Sequence, residues 1–188
     1  MPPPRKPEPK HILSFATNSL RNTTISVDDD TLFYEVVTRF WHPHLTKIFK
    51  LDKEARQMLL VGEIEREPEK EPRVRVGGEH GEWMSVDDFV KWDSKRSGGT
   101  WATSEGDAFR WKNHKRRLQL VKADDDEAAP IARYIPYTRH FFVMLVDRRA
   151  SLEVKDEALG YMDQLILTYL LVERKRRDQR VRVTVGRS

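Results

Sequence analysis

At 188 residues the chain is long enough for one domain with a core of its own. Its 34 basic and 30 acidic residues leave a net charge of only +4, too mild by itself to demand a polyanionic partner; the 34% charged share describes a charge-coated domain with its apolar residues gathered in a few places. The absence of cysteine excludes disulfides, thiolate catalysis, thiolate-held zinc and palmitoylation.

In chain order, residues 1–10 are rich in proline and carry no apolar h-region. They read as a disordered tail rather than a secretory signal, which makes a cytoplasmic location the expectation. Residues 11–188 read as a single domain. Short runs of β-branched and aromatic residues recur there between compact turn signals. Strands are predicted at His11 to Ala16, Thr23 to Val27, Leu32 to Thr38, Leu45 to Leu51 and Met58 to Glu65. The series continues at Arg73 to Val76, Thr100 to Ser104, Ala108 to Trp111, Arg117 to Lys122, Ile131 to Ile135 and His140 to Val146. Asp28-Asp29-Asp30 and Glu105-Gly106-Asp107 read as hairpin turns, the second with a glycine free to take positive φ. Glu67 to Pro72 reads as a solvated excursion, and Ser85 followed by Asp88 as the N-cap of one or two helical turns.

The pattern changes after Glu157. Leu159, Met162, Leu165, Ile166, Leu167, Tyr169, Leu170, Leu171 and Val172 leave no broad polar side on a helix of about 157–177. A helix apolar all round must be enclosed. Leu165 to Val172 falls well short of the ~20 residues that cross a bilayer, so the enclosure is expected to be protein. Val181 to Val185 reads as one further strand.

Several short motifs follow one another in a distinctive order: Arg21-Asn22-Thr23-Thr24, Glu63-Ile64-Glu65, Gly106 to Trp111, Ile131-Ala132, Ala150 to Val154, and an apolar helix closing in Glu173 to Asp178. Together they resemble a family of basidiomycete fungal proteins catalogued as a domain of unknown function, DUF 6593, across about residues 11–178. The resemblance implies an architecture similar to the tubby C-terminal and phospholipid-scramblase group. That is an all-β fold with one C-terminal helix, a closed antiparallel barrel around a central hydrophobic helix. It implies no activity. Trp41-His42-Pro43-His44 departs from the pattern, and the lipidated cysteines of the scramblases have no counterpart here.

Basic residues gather in Arg174, Lys175, Arg176 and Arg177, and again in Lys112, Lys115, Arg116 and Arg117. Convergent guanidinium and ammonium donors suit phosphate oxygens, and tubby domains hold phosphoinositide headgroups with such residues. Cations near a helix C-terminus also answer the helix dipole without any ligand. Trp111 beside the second cluster is expected to face the core, and nucleic acid is disfavoured because no nucleic-acid-binding signature is present. His42 and His44, joined by His140, are the candidates for a metal site, since imidazole suits zinc, copper and nickel. No nucleophile elbow, phosphate-cradling glycine loop or HExxH motif occurs, and no cofactor is expected. Among the aromatics, those between Trp83 and Trp101 are the expected exposed ones. The leading expectation is a non-catalytic binding module, for anionic lipid headgroups of phosphoinositide type or for a protein partner, with peripheral membrane association. A small enzyme or metal protein centred on His42 and His44 is the alternative, and a purely structural or interaction protein the third.

An enclosed helix has a direct test. Leu167→Asp or Leu170→Asp places an unpaired charge in the core and is expected to lower the unfolding free energy by several kcal/mol in urea titrations, roughly 3 or more. A variant that melts like the parent would show the helix to be exposed.

Overall fold

A computed structural model of the chain describes residues 11–28, 32–93, 98–115, 117–125, 129–137 and 149–179 with their side chains, and the backbone alone on to 185. Thirteen strands lie within the described residues. They are β1 (His11–Phe15), β2 (Thr23–Val27), β3 (Leu32–Thr38), β4 (Leu45–Asp52), β5 (Gln57–Glu65), β6 (Arg73–Val76) and β7 (Trp83–Ser85). After the short helix α1 (Val86–Phe89) come β8 (Lys91–Trp92), β9 (Gly99–Ala102), β10 (Ala108–His114), β11 (Arg117–Lys122), β12 (Ala132–Ile135) and β13 (Ser151–Val154). A 3-10 segment at Asp156–Tyr161 leads into α2 (Met162–Val185). The strand expected at His140 to Val146, like the tail 1–10, lies outside the described residues. β7, β8 and β13 are strands that the periodicity had not marked.

All pairings are antiparallel, and the order across the sheet is β7-β6-β5-β4-β3-β2-β1-β13-β12-β11-β10-β9-β8. The expected tubby-like closed barrel therefore does not form. The sheet is open, and its edges, β7 and β8, do not pair with each other. The cause is local. Between the edge strands the chain folds as α1, capped by Ser85 Oγ, which accepts from the Asp87 N–H at 3.1 Å. β8 then runs for two residues only, so no ladder is available to join the edges. Val86 and Val90 are buried instead, and side chains from α1 take up core positions beside the free edges.

The helix expected at 157–177 is observed, but it extends further. Val181 to Val185 continues α2 and does not form a strand. Extending an existing helix adds a hydrogen bond for each residue fixed, which outweighs the strand preference of alternating valines. Every residue from Leu165 to Val172 is buried. Strands from both halves of the order reach this helix. Tyr169 packs on Phe15 of β1 and Tyr134 of β12, with ring centroids 5.3 and 5.5 Å away. On β5, a Cβ at Gly62 would stand 2.5 Å from Leu167 Cδ1, so any larger residue there would make the Leu167 side chain shift. The β4–β5 register slips at this point, leaving Val61 as an extra residue beside Gly62. On β10, the buried Trp111 donates its indole N–H to Thr168 Oγ1 at 3.0 Å, and that hydroxyl donates to the Leu165 carbonyl at 3.0 Å. The buried threonine is satisfied on both counts.

The strand directions divide the connections between two ends. Phe109 meets Tyr161 and Trp111 meets Thr168, so β10 runs in the same sense as α2. Connections 16–22, 39–44 and 66–72, α1 and the β10–β11 tip accompany the later turns of α2. Connections 53–56, 77–82 and 103–107 and residues 123–125 and 129–131 lie at its start, where Glu105, Asp107, Asp124, Asp125, Asp156 and Glu157 make the end acidic. Negative charge there suits the positive end of the helix dipole. Gly106 takes φ +93°, as its hairpin requires.

His11 ties three elements together at the acidic end. Its Nδ1 bonds Asp28, whose other oxygen accepts from the Ile12 N–H at 2.9 Å, and its Nε2 lies 2.8 Å from Asp156 Oδ1. The Asp28 hydrogen bond, opposed by burial and aided by Asp156, holds the imidazole above its ordinary 6.5. A group raised on folding stabilises most in its protonated form. The contribution is fully present below pH 6.5 and is lost as pH rises through the higher folded value. Urea midpoints of the parent are expected to fall across that window, and His11→Gln to flatten the slope; equal slopes in both proteins would remove His11 as its source.

Candidate anion-binding end

Along α2 the basic residues divide by helical phase. Glu173 is buried, and it gathers the residues three and four positions on: Arg176 at 2.7 Å and Arg177 at 2.9 Å. Arg176 is itself buried, with its guanidinium 5.7 Å from the Tyr134 ring centroid. Arg177 also donates to the Asn18 carbonyl at 2.7 Å and to Asn18 Oδ1 at 2.8 Å, closing the β1–β2 connection against the helix. These two arginines serve the interior. Because α2 continues to Val185, they also sit well before the helix end, where dipole effects have faded.

Arg174 and Lys175 point elsewhere. They line a cleft of about 310 Å³ with Arg66, Asp87, Trp92 and Asp178. Arg174 Nε is 3.3 Å from Asp178. Lys175 Nζ stands 3.8 Å from the Trp92 ring centroid, a cation–π contact, and Trp92 is held by its indole N–H donating to Asp87 at 2.6 Å. Burial lowers the Lys175 ammonium, with Asp87 pulling the other way.

Arg66 is the residue that sequence reasoning missed. It follows β5 directly, its backbone N–H donating to the His44 carbonyl at 2.8 Å. Its partly buried guanidinium has no hydrogen bond or ion pair among the described residues. Burial comes first, then repulsion from Arg174 and Arg21 against the attraction of Asp178, and together they push it down to about 10. It remains a cation at neutral pH. Three cations (Arg66, Arg174 and Lys175) thus line the cleft with two carboxylates, Asp87 and Asp178, and the charge of Arg21 adds to the repulsion on Arg66. An added anion would relieve both the desolvation of Arg66 and its repulsion by its neighbours. The only signal in the sequence was an arginine at a strand end before an acidic, proline-bearing loop.

The second basic segment shares this end without joining the cleft lining. Lys112 lies on β10 on the face opposite Trp111, Lys115 takes φ +48° in the turn, and Arg117 is exposed opposite His114. Arg116 lies outside the described residues. His42 and His44 are exposed on the β3–β4 turn, and His140, the third metal candidate, is likewise outside the described residues. Among the described residues no group of three or more His, Asp or Glu side chains is placed to hold a metal. The aromatics of 83–101 are not the exposed ones: Trp101 is buried and Trp83 and Trp92 are half-buried. Phe40 and Trp41 are exposed instead.

The chain belongs to DUF6593, a family of unknown function, whose model matches residues 18–178. No curated protein and no solved structure matches it. Among the described residues, no helix is long and apolar enough to cross a membrane.

The Glu173 pairs carry a stability prediction. Glu173→Gln removes the carboxylate that pairs with the buried Arg176 and is expected to cost about 3–5 kcal/mol in urea unfolding. Asp178→Asn breaks only a solvent-facing pair and should cost about 1 kcal/mol or less. Equal effects would contradict the division between inward and outward charges.

Proposed function

We propose that this DUF6593 chain is a non-catalytic binding module that takes anionic lipid headgroups, of the phosphate-bearing kind, at its basic end. The single observation behind the reading is Arg66: a desolvated guanidinium without a hydrogen-bonding partner among the described residues, facing Arg174 across an open cleft. Guanidinium groups offer planar paired donors that match phosphate oxygens, which an ammonium cannot reproduce. Lys175 on Trp92 adds a cation at the rim, and Asp87 and Asp178 set a limit on how many negative charges the cleft accepts. Peripheral membrane association and the basidiomycete origin implied by the family resemblance belong to the same proposal. Arg176 and Arg177 enter it only as the internal supports of the helix that presents Arg174 and Lys175.

The test compares co-sedimentation of the untagged protein with vesicles of phosphatidylcholine alone, with added phosphatidylserine, and with added phosphoinositide at matched charge. Arg66→Ala and Arg174→Ala are each expected to weaken binding to the anionic vesicles by about tenfold, corresponding to one lost charge-assisted contact. Lys115→Ala and Arg117→Ala should change it little. Parent-like binding by Arg66→Ala would remove the cleft from consideration and return the search to a protein partner.

A further inference from the structure

Among the described residues, the β3–β4 turn holds the largest apolar groups left in water. Phe40 is 86% exposed and Trp41 58% exposed. Both stand at a chain reversal, where a protein that only needed a core would place polar residues. Their rings meet edge to face with centroids 5.5 Å apart, and the Arg39 guanidinium lies 5.3 Å from the Trp41 ring centroid. Trp41 borders an apolar recess of about 290 Å³ on the outer face of the sheet with Val37, Leu45 and Phe49.

The turn is held rather than loose. The His42 N–H donates to the Arg39 carbonyl at 3.0 Å and the Leu45 N–H to the His42 carbonyl at 3.1 Å. Arg21 donates to the Pro43 carbonyl at 2.7 Å. The Arg66 N–H takes the His44 carbonyl, so the turn and the basic cleft are joined through one backbone hydrogen bond. Residues 39–46 hold Arg39 and no acid, and Arg21 reaches the same turn. An apolar tip with Arg39 on its ring and Arg21 at its base is complementary to a surface that is apolar beneath and anionic above. Tryptophan and phenylalanine favour that boundary, and one shallow apolar anchor combined with basic residues is the pairing of two weak signals that holds a peripheral protein.

We propose that Phe40 and Trp41 form a membrane anchor, inserting into the interfacial layer of an anionic bilayer while the cleft at Arg66 and Arg174 meets headgroups at the same end. This rests on the headgroup reading above, and it adds a depth of insertion and an orientation that charge alone does not supply. The acidic end of the sheet would face away from the bilayer, as its charge requires.

The experiment uses the untagged full chain and the double variant Phe40→Ala/Trp41→Ala, with thermal melting as the check that both fold. Vesicle co-sedimentation is run beside calorimetric binding of a soluble probe, inositol hexaphosphate, which presents phosphate without a bilayer. The double variant is expected to lose affinity for phosphatidylserine-doped vesicles by about tenfold or more and to keep its affinity for the soluble probe. Lipids brominated in the upper acyl chain should quench tryptophan emission of the parent, and Trp41→Phe should remove the quenched component. Parent-like vesicle binding by the double variant, or quenching unaffected by Trp41→Phe, overturns the anchor. Parent-like binding of both the soluble probe and the vesicles by Arg66→Ala, with vesicle binding lost in the double variant, would defeat the headgroup cleft and leave the anchor standing, so the two failures are distinguishable. Absence of vesicle binding by the parent overturns both. A parent dimer that the double variant converts to monomer, with no vesicle binding, would assign the patch to self-association and overturn the anchor.

Discussion

The structure depends on a helix with no polar side. Leu165 to Val172 cannot present any face to water without exposing large apolar groups, so the rest of the chain is bound to cover it. Cover comes from thirteen short antiparallel strands whose inward residues are drawn from both halves of the sheet. At the free edges, where a two-residue strand and a capped helical turn leave no ladder, buried valines of α1 and its C-terminal flank supply core contacts. Hydrogen-bonded closure and apolar cover are separate requirements. Desolvating the helix calls for side chains, and a valine supplies them as well as a strand does.

The same helix sets the register of its surroundings. Gly62 admits Leu167, and the β4–β5 slip beside it places that glycine where the helix comes closest. Trp111 meets the one aliphatic hydroxyl in the buried stretch, Thr168, whose own proton goes to the Leu165 carbonyl. Each is a fitted contact on a different strand, so sliding the helix by one turn would break both. Where the apolar stretch ends, Glu173 takes over, holding one buried and one half-buried arginine. A carboxylate in this position is retained only because two guanidiniums neutralise it.

Much of the strand pattern was legible because alternation of period two is written directly in segments such as Leu118-Gln119-Leu120-Val121-Lys122. Gly106 and the Ser85 cap were legible for the same reason: single residues whose local chemistry dictates their backbone. Closure was not: the Ser85 cap was legible, but that β8 stops after two residues and leaves no ladder to join the edges is decided by packing and not by alternation. The fate of Val181 to Val185 was misread because a helix already running through Arg177 extends at little cost, whatever the valines prefer alone. At the candidate site, the run Arg174 to Arg177 was visible as composition. Its division into inward and outward pairs required the helix phase fixed by Glu173. Arg66 was invisible because its isolation is created by tertiary neighbours, Arg21 and Arg174, that lie far from it in sequence.

That isolation also explains why a net charge of +4 says little about binding. The acidic and basic residues are sorted along the helix axis, so their near-cancellation in the sum hides a separation in space. At the basic end most cations have internal duties: Arg176 and Arg177 on Glu173, Arg21 on the Pro43 carbonyl, Lys175 on Trp92. Specificity would then come from the few that are left and from how firmly they are held. Arg66 is fixed by the backbone hydrogen bond that also fixes the turn carrying Phe40 and Trp41. A ligand drawn to the guanidinium and a surface that accepts the two rings would therefore meet one rigid unit. In that arrangement the orientation of the bound protein would follow from how the turn is tied to Arg66, through the His44 carbonyl and the Arg21 contact to Pro43, together with the field of the domain.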